Sequence, residues 1–208
     1  MRNAADVLYN FHWVVPGEAA RMAQAHFGGL APILKRHGLR AMINLRGRNP
    51  DIGWWRRERE ACASIGAQHF DVTLDSRKLP TRAMLTALFD AFDAAPRPLV
   101  VKCSGGQDRT SLASALYILQ RAGWQAIDAA EMQFARWPYL HLPKEHQRWL
   151  KPFIAFAQED AAGLPVAQWA REKYDPATLA DWLDAHGMAG FYAQVFEKPT
   201  RSKWQWKW

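Results

Sequence analysis

The chain has 208 residues, 49% of them hydrophobic and 23% charged, with 27 Lys and Arg against 20 Asp and Glu for a formal charge of +7. That composition supplies one substantial core and excludes disorder as the main state. No run reaches the roughly 18 consecutive apolar residues of a membrane span, and the opening MRNAADVLYN lacks the apolar centre of a signal peptide, so a soluble, cytoplasmic protein is expected.

The first apolar run, at 11–15, is closed by Pro16-Gly17. A helical pattern through Leu30, Ile33 and Leu34 ends at His37-Gly38, where glycine suits a helix C-cap. Ala41 to Leu45 has the make-up of a buried strand, and Arg46-Gly47-Arg48-Asn49-Pro50 that of a loop. A helix is predicted from Trp54 to Ile65, a strand at His69 to Val72, and a helix from Pro80 to Ala94 with Pro80 in its first turn. Leu99-Val100-Val101 is a short strand ending in the loop Cys103 to Arg109, and Leu112, Leu116 and Leu119 continue as an amphipathic helix to Gly123. This alternation predicts an α/β fold, a mainly parallel central sheet flanked by helices. Beyond Gly123 the strand signals stop, and 127–134, 144–156, 166–174 and 176–186 read as extra C-terminal helices. The expected organisation is a domain over 1–160 and, packed on it, a helical extension over 161–208 with a basic, Trp-rich tail.

The loop at 103–109 holds the chemistry. It places Cys103 directly after a strand, Arg109 six residues later, Gly105 and Gly106 between them and a helix behind. A glycine turn before a helix N-terminus points several backbone N–H groups into one concavity, a cradle for an anion. Arg109 adds a planar fork that matches two oxygens of a phosphate. The same positive field favours the thiolate of Cys103, and the Thr110 hydroxyl is placed to donate to that sulphur. Nucleophile and anion holder share one loop. The other cysteine, Cys62, sits on a predicted helix beside Ala61, Ala63 and Ile65 and reads as a core thiol. The seven histidines show no metal-ligand spacing.

Cys-x5-Arg-Thr between a strand and a helix resembles the signature loop of the protein tyrosine phosphatase superfamily. Trp13-Val14-Val15-Pro16-Gly17 and Met42-Ile43-Asn44-Leu45-Arg46 resemble the opening of its bacterial dual-specificity-like members, so the resemblance covers about residues 8–158. It implies that Cys103 attacks phosphorus to form a cysteinyl-phosphate and that Arg109 binds the phosphoryl oxygens. The loop Ser104, Gly105, Gly106, Gln107, Asp108 and Arg109 then holds the substrate, with no metal or organic cofactor. Lys102 stands where the family usually has histidine before the nucleophile.

The family also has an aspartate on a separate loop, roughly thirty residues before the cysteine, that protonates the leaving group. Asp71 and Asp75 fall in that window, 32 and 28 residues ahead. Asp75, in the polar stretch Leu74-Asp75-Ser76-Arg77-Lys78-Leu79-Pro80, is favoured over Asp71, which lies inside a strand pattern. Asp108 is a third candidate, because Gly-x-Asp-Arg-Thr resembles the loop of myotubularin-type lipid phosphatases. Arg46, Arg77 and Lys102 extend the positive funnel around the loop.

The expected activity is hydrolysis of phosphate monoesters, with protein phosphotyrosine of the dual-specificity type as first substrate class and phosphoinositides or other phosphorylated small molecules as the alternative. Phosphate is then product and inhibitor, and no nucleic acid partner is expected. A non-catalytic phosphate-binding module and redox chemistry of the arsenate-reductase kind are the readings from other classes. The tail, with Trp204, Trp206 and Trp208 among cations, has a composition that suits contact with a membrane surface.

Overall fold

The computed structural model describes residues 3–26 and 28–195. The Trp-rich tail, and with it the expected membrane contact of that tail, lies outside the described residues. Five strands, β1 (His12–Val15), β2 (Ala19–Met22), β3 (Ala41–Asn44), β4 (Gln68–Asp71) and β6 (Leu99–Lys102), form one sheet in the order β1-β2-β6-β3-β4. Only the β1–β2 pairing is antiparallel; β2, β6, β3 and β4 run parallel, in register Ala20↔Val100, Met42↔Val100 and Met42↔His69. A second, two-residue pairing joins β5 (Lys78–Leu79) to β7 (Gln194–Val195).

The helices are α1 (Ala4–Leu8), α2 (Leu30–Arg36), α3 (Gly53–Ala63), α4 (Arg82–Ala94), α5 (Asp108–Ala122), α6 (Ile127–Glu131), α7 (Pro152–Ala161), α8 (Val166–Glu172) and α9 (Pro176–Ala185). Side chains alternate across a strand, so each central strand feeds two cores. Ala19, Ile43, Leu99 and Val101 face one that includes Leu85, Phe89, Leu112, Leu116, Phe153, Trp169 and Leu183. Ala20, Met22, Met42 and Val100 face a smaller one with Phe11, Ile33, Leu34 and Cys62. The α/β architecture with a mainly parallel sheet is therefore as expected. Among the described residues no helix is long and apolar enough to cross a membrane.

The sequence reading needs correction at four places. Ala19-Ala20-Arg21-Met22 carries no β-branched or aromatic residue, yet it forms β2, because β6 and β1 supply hydrogen-bonding partners on both sides. Pro80 precedes α4, whose N-cap is Thr81, its side chain accepting from the Met84 amide. The helix expected over 144–156 is two elements, a 3₁₀ segment at Glu145–Leu150 and α7, broken where Pro152 lacks the amide that would continue the first. Strand structure also returns after Gly123, as β7.

Candidate active site

The loop between β6 and α5 is shaped from behind. Gly106 has φ +64, and a Cβ there would lie 2.6 Å from the Ala23 nitrogen and the Met22 carbonyl carbon. Only glycine satisfies both the left-handed backbone and that close approach. Arg21, fully buried on β2, donates to the carbonyls of Gly106 (3.1 Å) and Gln107 (3.4 Å), to Ser111 Oγ (2.8 Å) and to the Gln133 carbonyl (2.8 Å). Asn10 Nδ2 also donates to the Gly106 carbonyl (3.2 Å). In a planar trans peptide the C=O and the next N–H point opposite ways, so carbonyls drawn backward turn their amides forward.

Cys103 lies at the floor of that concavity, buried. Burial pushes its thiol pKa up, but the Arg109 guanidinium, the Thr110 hydroxyl and the amides of Gln107 and Thr110 outweigh it and bring the thiol below its ordinary value. Among the described residues the Thr110 hydroxyl has no oxygen or nitrogen partner, and its hydrogen bond is to the sulphur. Cys62 is the contrast within the same chain: burial and the Glu58 charge push its thiol up to about 12 against the attraction of Lys102. The structure thus brings Cys103, Gly106, Gln107, Arg109 and Thr110 together, with Ser104 and Gly105 exposed at the turn.

Lys102 does not open onto the funnel. Its ammonium is buried, 2.5 Å from Glu58 Oε1 and 3.0 Å from Gln24 Oε1, and burial pulls it down to about 8 against the opposing attraction of Glu58. Gln24 also donates to Glu58, accepts from Arg46 Nη1 (2.9 Å), and donates its backbone amide to the Ser104 carbonyl (3.0 Å). Arg46 stacks 3.8 Å above the Trp54 ring. Burial and the nearby Arg109 charge bring it down to about 10, while Glu58 and Cys103 work the other way. Arg46 therefore belongs to the electrostatic surroundings of the nucleophile.

The three candidate acids differ in environment. Asp71 accepts from Asn44 Nδ2 (2.7 Å) and from Trp55 Nε1 (2.9 and 3.0 Å), tying the end of β4 to β3 and α3. Asp75 lies in the loop before β5, its Oδ1 accepting from the Arg77 amide (2.7 Å). Asp108 opens α5; burial pushes its carboxyl up, against the charges of Arg109, Arg77 and Lys144. Gln147 Nε2 joins the last two regions, donating to Ser76 Oγ (3.0 Å) and Asp108 Oδ2 (3.1 Å). Arg77 is exposed. Among the described residues no three His, Cys, Asp or Glu side chains gather to hold a metal ion.

Sequence reasoning missed Arg21, Gln24, Glu58, His141 and Gln147, each of which braces the loop or its acids from a distant segment. One usable signal existed for Arg21 and Glu58. A charge placed where the residue pattern is otherwise that of a buried element needs a partner, and the polar loop ends supply it.

No family model and no curated protein matches the chain. Among solved structures, a mutant form of Tk-PTP aligns over 72% of this chain and 96% of its own, with 10% identity and a TM-score of 0.52. A DUF442 protein from Shewanella putrefaciens CN-32 aligns over 70% and 91%, with 16% identity and a TM-score of 0.51. TpbA of P. aeruginosa covers 88% and 95%, at 16% identity and a TM-score of 0.49. With the strand–loop–helix site in place on a mainly parallel sheet, the chain has the fold of the protein tyrosine phosphatase superfamily.

Proposed function

We propose that the chain is a cysteine-dependent phosphatase that hydrolyses phosphate monoesters through a phosphocysteine at Cys103. The observation that carries this reading is a buried thiol held below its ordinary pKa by Arg109, the Thr110 hydroxyl and the loop amides of Gln107 and Thr110. A sulphur stabilised by those groups faces the position where they would hold three phosphoryl oxygens.

Cys103 Sγ attacks phosphorus, the S–P bond forms and the ester P–O bond breaks with its electron pair on the departing oxygen. That oxygen takes a proton from Asp75, the donor favoured by its place on a separate polar loop. Asp108 is the alternative donor, supported by a carboxyl that burial holds protonated to higher pH than usual. Asp71, committed to Asn44 and Trp55, serves the sheet end instead. In the second step water attacks phosphorus, its proton passes to the same carboxylate, and the S–P bond breaks to release phosphate and restore the thiolate. Ser104, Gly105, Gly106, Gln107 and Arg109 hold the phosphoryl group, and Arg46 adds positive potential at the mouth. The chemistry requires no cofactor. Phosphotyrosine of proteins, as in dual-specificity enzymes, and phosphoinositides or other phosphorylated small molecules are the substrate classes in competition.

Hydrolysis of an aryl phosphate by wild type and by Cys103→Ser, Asp75→Asn and Asp108→Asn tests this. Turnover by wild type, abolished in Cys103→Ser, supports the reading; no turnover by folded wild-type protein on aryl, peptide or inositide phosphates overturns it. The donor is the aspartate whose amide variant loses about 10²–10⁴-fold on poor leaving groups.

A further inference from the structure

Asp75 stands on the stretch 75–80 between Leu74 and α4, and residues far later in the chain converge on that stretch. The Trp149 indole Nε1 donates to the Ser76 carbonyl (3.0 Å) and Gln147 Nε2 to Ser76 Oγ (3.0 Å). The Ala193 amide donates to the Arg77 carbonyl (2.7 Å), and the Tyr174 hydroxyl to the Pro80 carbonyl (2.7 Å). Lys78 and Leu79 pair with Gln194 and Val195 of β7. At the first position of α4, Arg82 donates to the carbonyls of Tyr174 (2.7 Å) and Lys173 (3.3 Å). The carbonyls of Ser76, Arg77 and Pro80 are thus all taken by donors from the C-terminal half. Asp75 is tied to the same frame, since its Oδ1 accepts from the Arg77 amide (2.7 Å) while the Arg77 carbonyl accepts from Ala193.

Two of those donors are fixed by packing. Trp149 and Tyr174 are fully buried and belong to one cluster of rings, in which Phe153 lies edge-on to Trp149 (5.9 Å), Trp169 (5.9 Å) and Tyr174 (5.8 Å). A buried indole or phenol needs an acceptor for its polar end, and here both find one on the same short stretch, on either side of β5. The stretch also adjoins the loop of the nucleophile. Gln147 Nε2 donates to Asp108 Oδ2 (3.1 Å) as well as to Ser76, and the Arg77 charge acts on Asp108. A general acid works only within hydrogen-bond reach of the departing oxygen, and an error of an ångström in such a placement can cost about 10²-fold in rate. A side chain on a loop attains that precision when packed, hydrogen-bonded groups behind it hold the loop.

We propose that Trp149 and Tyr174 are positioning residues for proton donation, and that the ring cluster of α7 and α8 holds the Asp75 loop in its place beside the Cys103 loop. The inference rests on the phosphatase reading with Asp75 as its donor.

The test compares kcat/KM, which reports the step that breaks the ester bond, on two aryl esters. Phenyl phosphate has a leaving group that needs the proton; dinitrophenyl phosphate has one that does not. Trp149→Phe and Tyr174→Phe keep a ring and remove the donor to the loop. Both are expected to lose about 10–10²-fold on phenyl phosphate and little on the dinitrophenyl ester. Should Trp149→Phe fail to fold, Tyr174→Phe, which deletes one oxygen, decides. Trp169→Phe makes a matched lesion in the same ring cluster, where the indole donates to Asp160 (2.6 Å) and not to the loop. It is expected to lower the thermal midpoint and leave the ratio of the two substrates unchanged. Beside Asp75→Asn, Tyr174→Phe is expected to add nothing on phenyl phosphate, because a residue acting through Asp75 then has nothing to position. Undiminished hydrolysis of phenyl phosphate, equal losses on both esters, a ratio that Trp169→Phe shifts as far, or a Tyr174→Phe loss that persists beside Asp75→Asn overturns the inference and leaves the phosphatase reading standing. Folded wild type that hydrolyses neither ester overturns the phosphatase reading and this inference with it.

Discussion

Asp108 Oδ1 and His141 Nε2 face each other at 3.6 Å, both buried and neither with a hydrogen-bond partner among the described residues. His141 Nδ1 is turned to the Phe134 carbonyl at 3.2 Å, which fixes the neutral ring with its proton on Nδ1 and its lone pair toward Asp108. Burial brings His141 down to about 4, with Arg21 and Lys151 adding to the effect and the Phe134 carbonyl opposing it. Burial pushes Asp108 the other way. Burial thus disfavours the charged form of both groups.

That arrangement sets a pH dependence of stability. Between about 4 and 6.5 the unfolded chain binds the histidine proton and the folded chain does not, so the His141 contribution is present above 6.5 and lost as pH falls toward 4. Asp108 acts oppositely, since its folded carboxyl holds a proton above the ordinary 3.8 and its contribution is lost as pH rises through the raised value. His141→Phe, which keeps a ring against Phe134, is expected to flatten the loss of stability on acidification, and Asp108→Asn to steepen it. Urea midpoints from pH 4 to 7 read both, and parallel curves for all three proteins would contradict the assignment.

The thiols supply a chemical measurement. Cys103 lies below and Cys62 far above the usual thiol range, so alkylation with iodoacetamide near neutral pH is expected to label Cys103 and spare Cys62. Thr110→Val removes a donor to the sulphur, and the pH midpoint for labelling at Cys103 is expected to rise. Mass spectrometry of the labelled peptides across pH checks both, and equal labelling of the two cysteines in folded protein would refute the environment described.

The anion loop was legible because its parts are contiguous: strand, cysteine, glycines, arginine and helix start fall within one stretch, where local chemistry decides geometry. Its supports were not. Arg21 reaches Gly106 across 85 positions and Gln147 reaches Asp108 across 39, and no local pattern specifies such pairings. β2 was hidden for the same reason, since its two alanines, arginine and methionine are strand only because their neighbours in the sheet are. The split at Pro152 was written plainly in the sequence, and helical spacing of the apolar residues masked it. Lys102 was misplaced because a lysine next to a nucleophile suggests field at the mouth, whereas strand alternation sends it to the face occupied by Glu58 and Gln24.

The loop's tight seat makes Gly106 sensitive. Gly106→Ala places a methyl 2.6 Å from backbone atoms of Met22 and Ala23 at a positive φ, so β2 and the loop must separate. A loss of about 1–3 kcal/mol in stability is expected, together with loss of vanadate or phosphate binding, because the amides no longer converge. Gly105→Ala, whose Cβ would meet only the Gln107 side chain at 3.5 Å or more, is the comparison and is expected to cost less. Denaturation and anion titration by calorimetry check the pair, and similar losses at both glycines would mean that the close approach to β2 is not what matters.

The Lys102–Glu58 pair offers a sharper measurement, because both groups are buried and each is the other's main compensation. Lys102→Met leaves Glu58 buried and faced, among the described residues, by Gln24, the more distant His69 (3.7 Å) and the charge of Arg46. Losing one partner of such a pair costs about 3–5 kcal/mol, whereas replacing both with apolar groups of similar size is often near neutral. The single variants Lys102→Met and Glu58→Leu are therefore each expected to be strongly destabilised and the double variant to recover most of the loss. The thiolate adds a second readout, since Lys102 and Cys103 attract each other. In the double variant the alkylation midpoint of Cys103 should move up only slightly, because Arg109 and Thr110 remain. A double variant no more stable than either single one would show that the pair organises Gln24 and the Ser104 carbonyl, and that its charges are not merely cancelling each other.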